Sequence, residues 1–141
     1  ELRLWDIAQG TQTKSILGAE GDIWCFAKIS ESILAAGEYD DGNDIRIYDV
    51  DQGVVLQVLH GHEDWVRGLA LGLKGELISV SKDCHMKIWE LEDKNINNSY
   101  KLSKTITHPL CEWGLLSILV LKDGSYITAS NDYLIRQWDE E

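Results

Sequence analysis

Proline occurs once in the 141 residues, at Pro109, methionine and phenylalanine once each, and cysteine three times. Those scarcities exclude a collagenous or disulfide-stapled chain. With 44% hydrophobic and 26% charged residues, the composition is that of an ordinary globular protein able to bury a core. Positive charge is scarce too: Lys plus Arg number 13 against 24 Asp plus Glu, a formal charge of −11. A field of that sign repels phosphate backbones and anionic headgroups, which argues against nucleic acid and membrane surfaces as partners. Long apolar runs are missing. The longest apolar-rich stretch, Trp113 to Leu121, is interrupted by Gly114 and Ser117 and falls well short of the roughly 18 to 20 residues needed to cross a bilayer. Cys25, Cys84 and Cys111 are odd in number and lack CxxC spacing, so the expectation is free thiols in a reducing compartment, cytoplasm or nucleus. The chain starts at Glu1 without a basic-then-apolar leader, and the expectation is an internal piece of something longer.

What is present is repetition. Four segments share an apolar, alternating run closed by an aromatic and an acid: LRLWD at Leu2 to Asp6, IRIYD at Ile45 to Asp49, MKIWE at Met86 to Glu90 and IRQWD at Ile135 to Asp139. Their aromatics, Trp5, Tyr48, Trp89 and Trp138, recur at spacings of 43, 41 and 49 residues. Upstream of the last three lies a second shared pattern, SILAAGE from Ser32, ELISVSKD from Glu76 and SYITASND from Ser125. The pieces alternate with period two between Gly, Asp and Asn turns, and no stretch carries a helical period. The repeating unit is about four short strands.

This pattern resembles the WD40 family over essentially the whole chain, with GHEDWVRGLAL from Gly61 standing where that family carries its GH signature. The resemblance implies an all-β fold, a fragment of a β-propeller made of four-stranded antiparallel blades, about 13 strands in all. Residues 1–20 read as the C-terminal half of an incomplete blade. Residues 21–60 read as a degenerate WD40 repeat, 61–107 as a full repeat, and 108–141 as a repeat lacking its last strand. A wedge of little over three blades leaves bare sheet faces at both ends. The remaining blades are therefore expected from the parent chain or another chain.

Two sets of residues imitate hydrolytic triads: His62, Ser79 and Asp83, and again His108, Thr128 and Asp132. The family pattern implies instead a buried hydrogen-bond chain within one blade. It would run through His62, Ser79, Asp83 and Trp89, and likewise through His108, Thr128, Asp132 and Trp138. Without water, each of these polar groups must find a partner inside the blade. A nucleophile, by contrast, needs an open site and an oxyanion hole. No catalytic residue is assigned. The 21–60 repeat departs from the pattern, with Ala19 and Glu20 in place of the GH histidine, Ala36 in place of the hydroxyl and Tyr48 in place of Trp. It is expected to be held mainly by apolar packing.

Other chemistry is weaker. The acidic turn EYDDGND, residues 38–44, lacks the order of a calcium loop and reads as a solvated or recognition turn. His60 and His62, two apart on an extended segment, project to one side, but no further ligand follows at zinc spacing. Cys111, three residues after His108, has no orienting group that would make it a nucleophile. Asn97, Asn98 and Ser99 form a glycosylation sequon that reads as a polar hairpin insertion. No cofactor and no metal is expected.

The resemblance implies a recognition surface on the narrow face of the propeller, where the loops entering first strands meet the turns between second and third strands. The positions of this sequence that map there are Asp22, Trp24, Trp65, Arg67, Lys82 and Asn131, with Gly114 and Leu116 in the last repeat. Trp113 joins them because its entry loop, containing Pro109, is about three residues longer than that of the preceding repeat. Trp and Arg dominate binding energy when central in an interface, while a Trp here could equally pack against the neighbouring blade. The mixture of few basic residues among acids suits a partner carrying basic and apolar anchors better than a phosphopeptide. An Arg two positions after each repeat's acid, which the family's cullin-adaptor box requires, is replaced by Ala8, Asp51, Glu92 and Glu141. The expected function is a non-enzymatic protein-binding scaffold, cytoplasmic or nuclear. The alternative is a regulatory or substrate-recognition propeller of a ubiquitin-related or tRNA-modifying enzyme complex, with catalysis elsewhere.

Overall fold

The alternating segments form thirteen strands and no helix among the described residues, which in this computed structural model are 1–39, 42–92, 99–109 and 111–139. In chain order they are β1 (Leu2–Asp6), β2 (Thr11–Ile16), β3 (Asp22–Lys28), β4 (Ile33–Tyr39), β5 (Ile45–Asp49), β6 (Val54–Leu59), β7 (Val66–Leu71), β8 (Leu77–Ser81), β9 (His85–Leu91), β10 (Tyr100–Thr107), β11 (Leu115–Val120), β12 (Tyr126–Ser130) and β13 (Ile135–Trp138). Neighbours in sequence pair antiparallel, giving four sheets: β1-β2, β3 to β6, β7 to β10, and β11 to β13. Tight turns impose that meander, as at Gly53, whose φ of +75° lets its amide reach the Asp49 carbonyl at 2.8 Å.

The sheets stack face to face, so the two faces of one strand enter different cores. Leu2 and Ile16 of the first sheet meet Ala36 and Tyr48 of the second. Ala35, Ile45 and Ile47 of the second meet Val66, Leu77 and Trp89 of the third. Ile78, Val80 and Met86 of the third meet Leu115 and Tyr126 of the fourth. A fully buried Ile or Leu in such a core contributes about 1.5–3 kcal/mol, so each sheet depends on its neighbours. β7 and β11 approach so closely that a Cβ at Gly68 would lie 3.2 Å from the Ile118 amide and 2.8 Å from the Val80 side chain. The outer sheets leave Trp5, Ile7, Leu134 and Ile135 exposed, and the four sheets do not close into a ring. Among the described residues no helix is long and apolar enough to cross a membrane.

Each first strand of the last three sheets carries a bulge at the same place. Pairing skips one residue between Ile23 and Cys25, between Val66 and Gly68, and between Leu115 and Ser117. The skipped residues are Trp24, Arg67 and Leu116. A bulge re-aims the side chain it carries and frees it from the ladder, which puts these three at the sheet edge where the entry loops and the second-to-third-strand turns converge.

Candidate functional site

The third sheet contains a closed polar chain. The loop before β7 brings in His62, which donates from Nδ1 to Oδ2 of Asp83 at 2.7 Å, while Nε2 lies 2.7 Å from the Ser79 hydroxyl. Ser79, on β8, also accepts the indole N–H of Trp89 on β9 at 2.9 Å. Asp83 further accepts the backbone amides of Glu63 and His85. Burial pushes its carboxyl up, but the hydrogen bond and charge of His62, with those two amides, more than offset this and hold it at about 2. Ser79 is fully buried and its oxygen is engaged by two partners, so no substrate reaches it.

At the edge of the second and third sheets, aromatic rings meet. Trp24 stacks on Trp65 with centroids 6.4 Å apart, and Tyr39 packs edge-on against both at 5.5 and 5.2 Å. The Tyr39 hydroxyl donates to Asp22 across the β3–β4 pair at 2.9 Å. Lys82 holds its ammonium 4.4 Å from the Trp65 ring and 3.1 Å from Asp64, and the Arg67 guanidinium lies 5.7 Å from the same ring. Trp65 is placed by two bonds to its loop: its carbonyl accepts the Lys82 amide at 3.0 Å, and the Asp64 carbonyl accepts the Ser81 hydroxyl at 2.8 Å. The Trp113 carbonyl accepts from Arg67 at 3.1 Å and from Asn131 at 3.0 Å, tying the next entry loop to the cluster. Asp22, Trp24, Trp65, Arg67, Lys82, Trp113 and Asn131 thus lie along one connected edge. Trp24 remains 55% exposed and Trp113 67% exposed. Tyr39 was missed; its signal was its place at the end of the second strand, opposite Asp22.

The family model "WD domain, G-beta repeat" matches residues 53–90, the segment that contains this polar chain from His62 to Trp89. The chain superposes on the WD40 β-propeller domain of Doa1 with a TM-score of 0.82 and 27% identity, covering 99% of this chain and 43% of that one. It carries a WD40 repeat at residues 53–90 and has the fold of a WD40 β-propeller fragment. Among curated proteins it is 27% identical to autophagy-related protein 16 of Arabidopsis thaliana over 98% of its length, and 24% identical to the nuclear distribution protein nudF of Aspergillus terreus over 74%. It spans only 26% and 27% of those two relatives. Cell division control protein 4 of Saccharomyces cerevisiae is 28% identical over 77% of the chain and is covered to 15%.

The fourth and second sheets vary the polar chain. In the fourth, Trp138 donates to Thr128 at 2.8 Å, but Asp132 turns to the Ser130 hydroxyl and to the Arg136 guanidinium. Neither ring nitrogen of His108 has a hydrogen-bond partner among the described residues, although the ring sits 5.8 Å from that of Trp138. The expected His108–Asp132 link is therefore absent. Arg136 supplies the reason. It occupies the register position of Lys87, since it pairs with Thr128 as Lys87 pairs with Ser79. Lys87 points to Thr105 on β10, whereas beside β13 the described residues hold no fourth strand and Arg136 takes the aspartate instead. Arg136 and Ser130 hold the Asp132 carboxyl below the usual carboxylate range, while burial and Arg136 lower His108.

In the repeat with Ala36 and Tyr48, apolar side chains fill both faces of the sheet, and a buried ion pair that the sequence reading did not foresee is added to them. Fully buried Glu38 accepts from Nε of Arg46 at 2.8 Å, and Glu20 reaches the same guanidinium at 3.3 Å. Burial pushes the Glu38 carboxyl up, and Arg46 pulls it only part of the way back. With Ala36 in place of the serine, the buried Tyr48 hydroxyl has no partner among the described residues, and burial pushes it up to about 12.

The cysteine expectation is also corrected. Cys84 and Cys111 are joined in a disulfide with Cα atoms 5.6 Å apart, and only Cys25 is free. The two lie 27 residues apart in sequence, and only folding brings the β8–β9 turn against the loop entering β11. His60 and His62 do not share a side. Gly61 has φ of +151°, which breaks the extended alternation, and His60 pairs with Asp44 at 2.9 Å while His62 turns inward. No group of three or more metal-ligating side chains occurs among the described residues. Asp40 and Asp41 of the acidic turn, Asn97 and Asn98 of the sequon, and Glu141 of the adaptor-box comparison lie outside the described residues.

Proposed function

We propose that this chain is part of a WD40 propeller acting as a non-enzymatic scaffold, which presents the edge built by Trp24, Tyr39, Trp65 and the Trp113 loop to a protein partner. The observation that carries it is the exposed Trp24 stacked on Trp65, a rigid aromatic platform of the residue types that dominate interface energies. Its two cations are already engaged, Lys82 by Asp64 and Arg67 by the Trp113 carbonyl, so the face holds no free pair to clamp a phosphate. Asp22 and Glu63 at its border are exposed, and the chain is strongly acidic. A partner segment with basic and apolar anchors complements that mixture.

In this reading residues 1–20 are the outer half of a blade, 21–60 and 61–107 are whole blades, and 108–141 is a blade whose fourth strand comes from elsewhere. The remaining blades belong to the parent chain or to another chain, and the site of action is the cytoplasm or nucleus. Nothing in the geometry favours a recognition propeller of a ubiquitin-related or tRNA-modifying enzyme over a general scaffold. The test is affinity of the intact parent protein for its partner. Trp65→Ala and Arg67→Ala should each weaken binding about tenfold or more, with Trp65→Ala the larger. Retained binding by both, with unchanged unfolding, moves the site off this face.

A further inference from the structure

We propose that Cys84 and Cys111 form a reversible thiol–disulfide site that exchanges with a small thiol of the glutathione class and so fixes or releases the Trp113 loop at the interaction face. The bridge joins two consecutive sheets, from the β8–β9 turn to the loop between β10 and β11. Its two halves differ in how firmly they are held. Cys84 sits between Asp83, which accepts bonds from His62, Glu63 and His85, and His85, the first residue of β9. The turn keeps its shape whether or not the sulfurs are joined. On the loop side, Cys111 to Trp113 rest on the bridge and on the Trp113 carbonyl held by Arg67 and Asn131, between buried His108, whose amide donates to the Cys84 carbonyl at 2.9 Å, and buried Gly114. The Trp113 side chain is largely exposed and belongs to none of the three cores. A segment with few apolar contacts and exposed hydrogen bonds opens at low free energy once a covalent tie is cut.

Both sulfurs belong to partly exposed residues, so a small thiol reaches them. Cys25 does not compete. It packs beneath Gly37 and Val66, and burial pushes its thiol up to about 12, leaving little thiolate at neutral pH. In a cytoplasmic or nuclear protein a permanent staple is out of place, whereas a transient redox-sensing disulfide is the kind found there. Reduction runs in two exchanges. A glutathione thiolate attacks one sulfur of the bridge, the S–S bond breaks, and a mixed disulfide forms while the other cysteine leaves as thiolate. A second glutathione thiolate then displaces the first from the mixed disulfide. The two electrons come from the glutathione pair, which leaves as its disulfide, and each cysteine sulfur takes up one proton released by glutathione. Oxidation is the reverse, with glutathione disulfide as oxidant.

The meaning of the switch rests on the proposed face, but its test does not need the partner. The full parent protein is equilibrated in buffers of graded glutathione to glutathione-disulfide ratio, alkylated, and mapped by mass spectrometry. Cys84 and Cys111 should become labelled together as the buffer grows more reducing. Hydrogen exchange at Cys111, Glu112 and Trp113 should then quicken about tenfold or more while β8 and β9 stay protected. A Cys84→Ser, Cys111→Ser double variant should show the fast loop in every buffer. Three results would each overturn the proposal: both cysteines labelled even in the most oxidising buffer, a bridge that glutathione never reduces, or loop exchange that is the same in both states. Coupled labelling with a released loop, alongside partner binding unaffected by Trp65→Ala, would retain the redox site and discard only the face.

Discussion

In the third sheet, the slot facing the preceding sheet holds Ser79, His62, Asp83 and Trp89. In the second sheet, the positions in the same register hold Ala36 and Tyr48, and the polar role passes to Arg46, paired with Ala36, and to Glu38, two residues beyond Ala36, together with Glu20. One arrangement passes a hydrogen-bond chain from indole to carboxylate. The other buries an ion pair and leaves a phenol unsatisfied. Both slots hold buried polar groups, and the repeat does not dictate which residues supply them or that every one is paired.

The sharpest way to break this comparison is to remove one partner from each chain. Glu38→Ala leaves Arg46 buried with only the solvent-exposed Glu20 as partner and should cost about 3–5 kcal/mol in denaturant unfolding, whereas Glu38→Leu with Arg46→Met should be close to neutral. Asp83→Ala strands the His62 donor and two amides and should cost about 2–4 kcal/mol. Because the Asp83 carboxyl is held at about 2, below its unfolded value, its contribution is full above pH of about 4. That contribution, about 2 kcal/mol, is lost as pH falls through about 2. An acid titration of Asp83→Asn should lack that loss. His108→Ala should cost only about 1 kcal/mol, because it removes packing and no hydrogen bond of the ring. If it costs as much as His62→Ala, the last repeat closes its chain after all. The smallest effect is at Tyr48→Phe, which removes an orphaned hydroxyl and should leave stability unchanged or raise it by about 1 kcal/mol.

What was legible in the sequence was whatever depends on local spacing. Alternation gave the strands, since a residue's face follows its parity. The polar chain from His62 to Trp89 was implied by the family resemblance, and the turn and β9 hold Asp83 and Trp89 at its two ends. The features that escaped depend on contacts between segments. Glu38 read as part of a solvated acidic turn, and only the β4–β5 register places Arg46 beside it. His108 and Asp132 have the right spacing, yet Arg136 draws the carboxylate away. Cys84 and Cys111 meet only through the stacking of two sheets.

The recurrent bulge separates two jobs that an ordinary strand residue must combine. Trp24, Arg67 and Leu116 make no ladder pairing, so exchanging them leaves the register of β3, β7 and β11 intact. Each repeat therefore offers one interchangeable letter at the rim, and three letters in a row spell a recognition word that can be rewritten, by evolution or by grafting, without recomposing the sheets that display it.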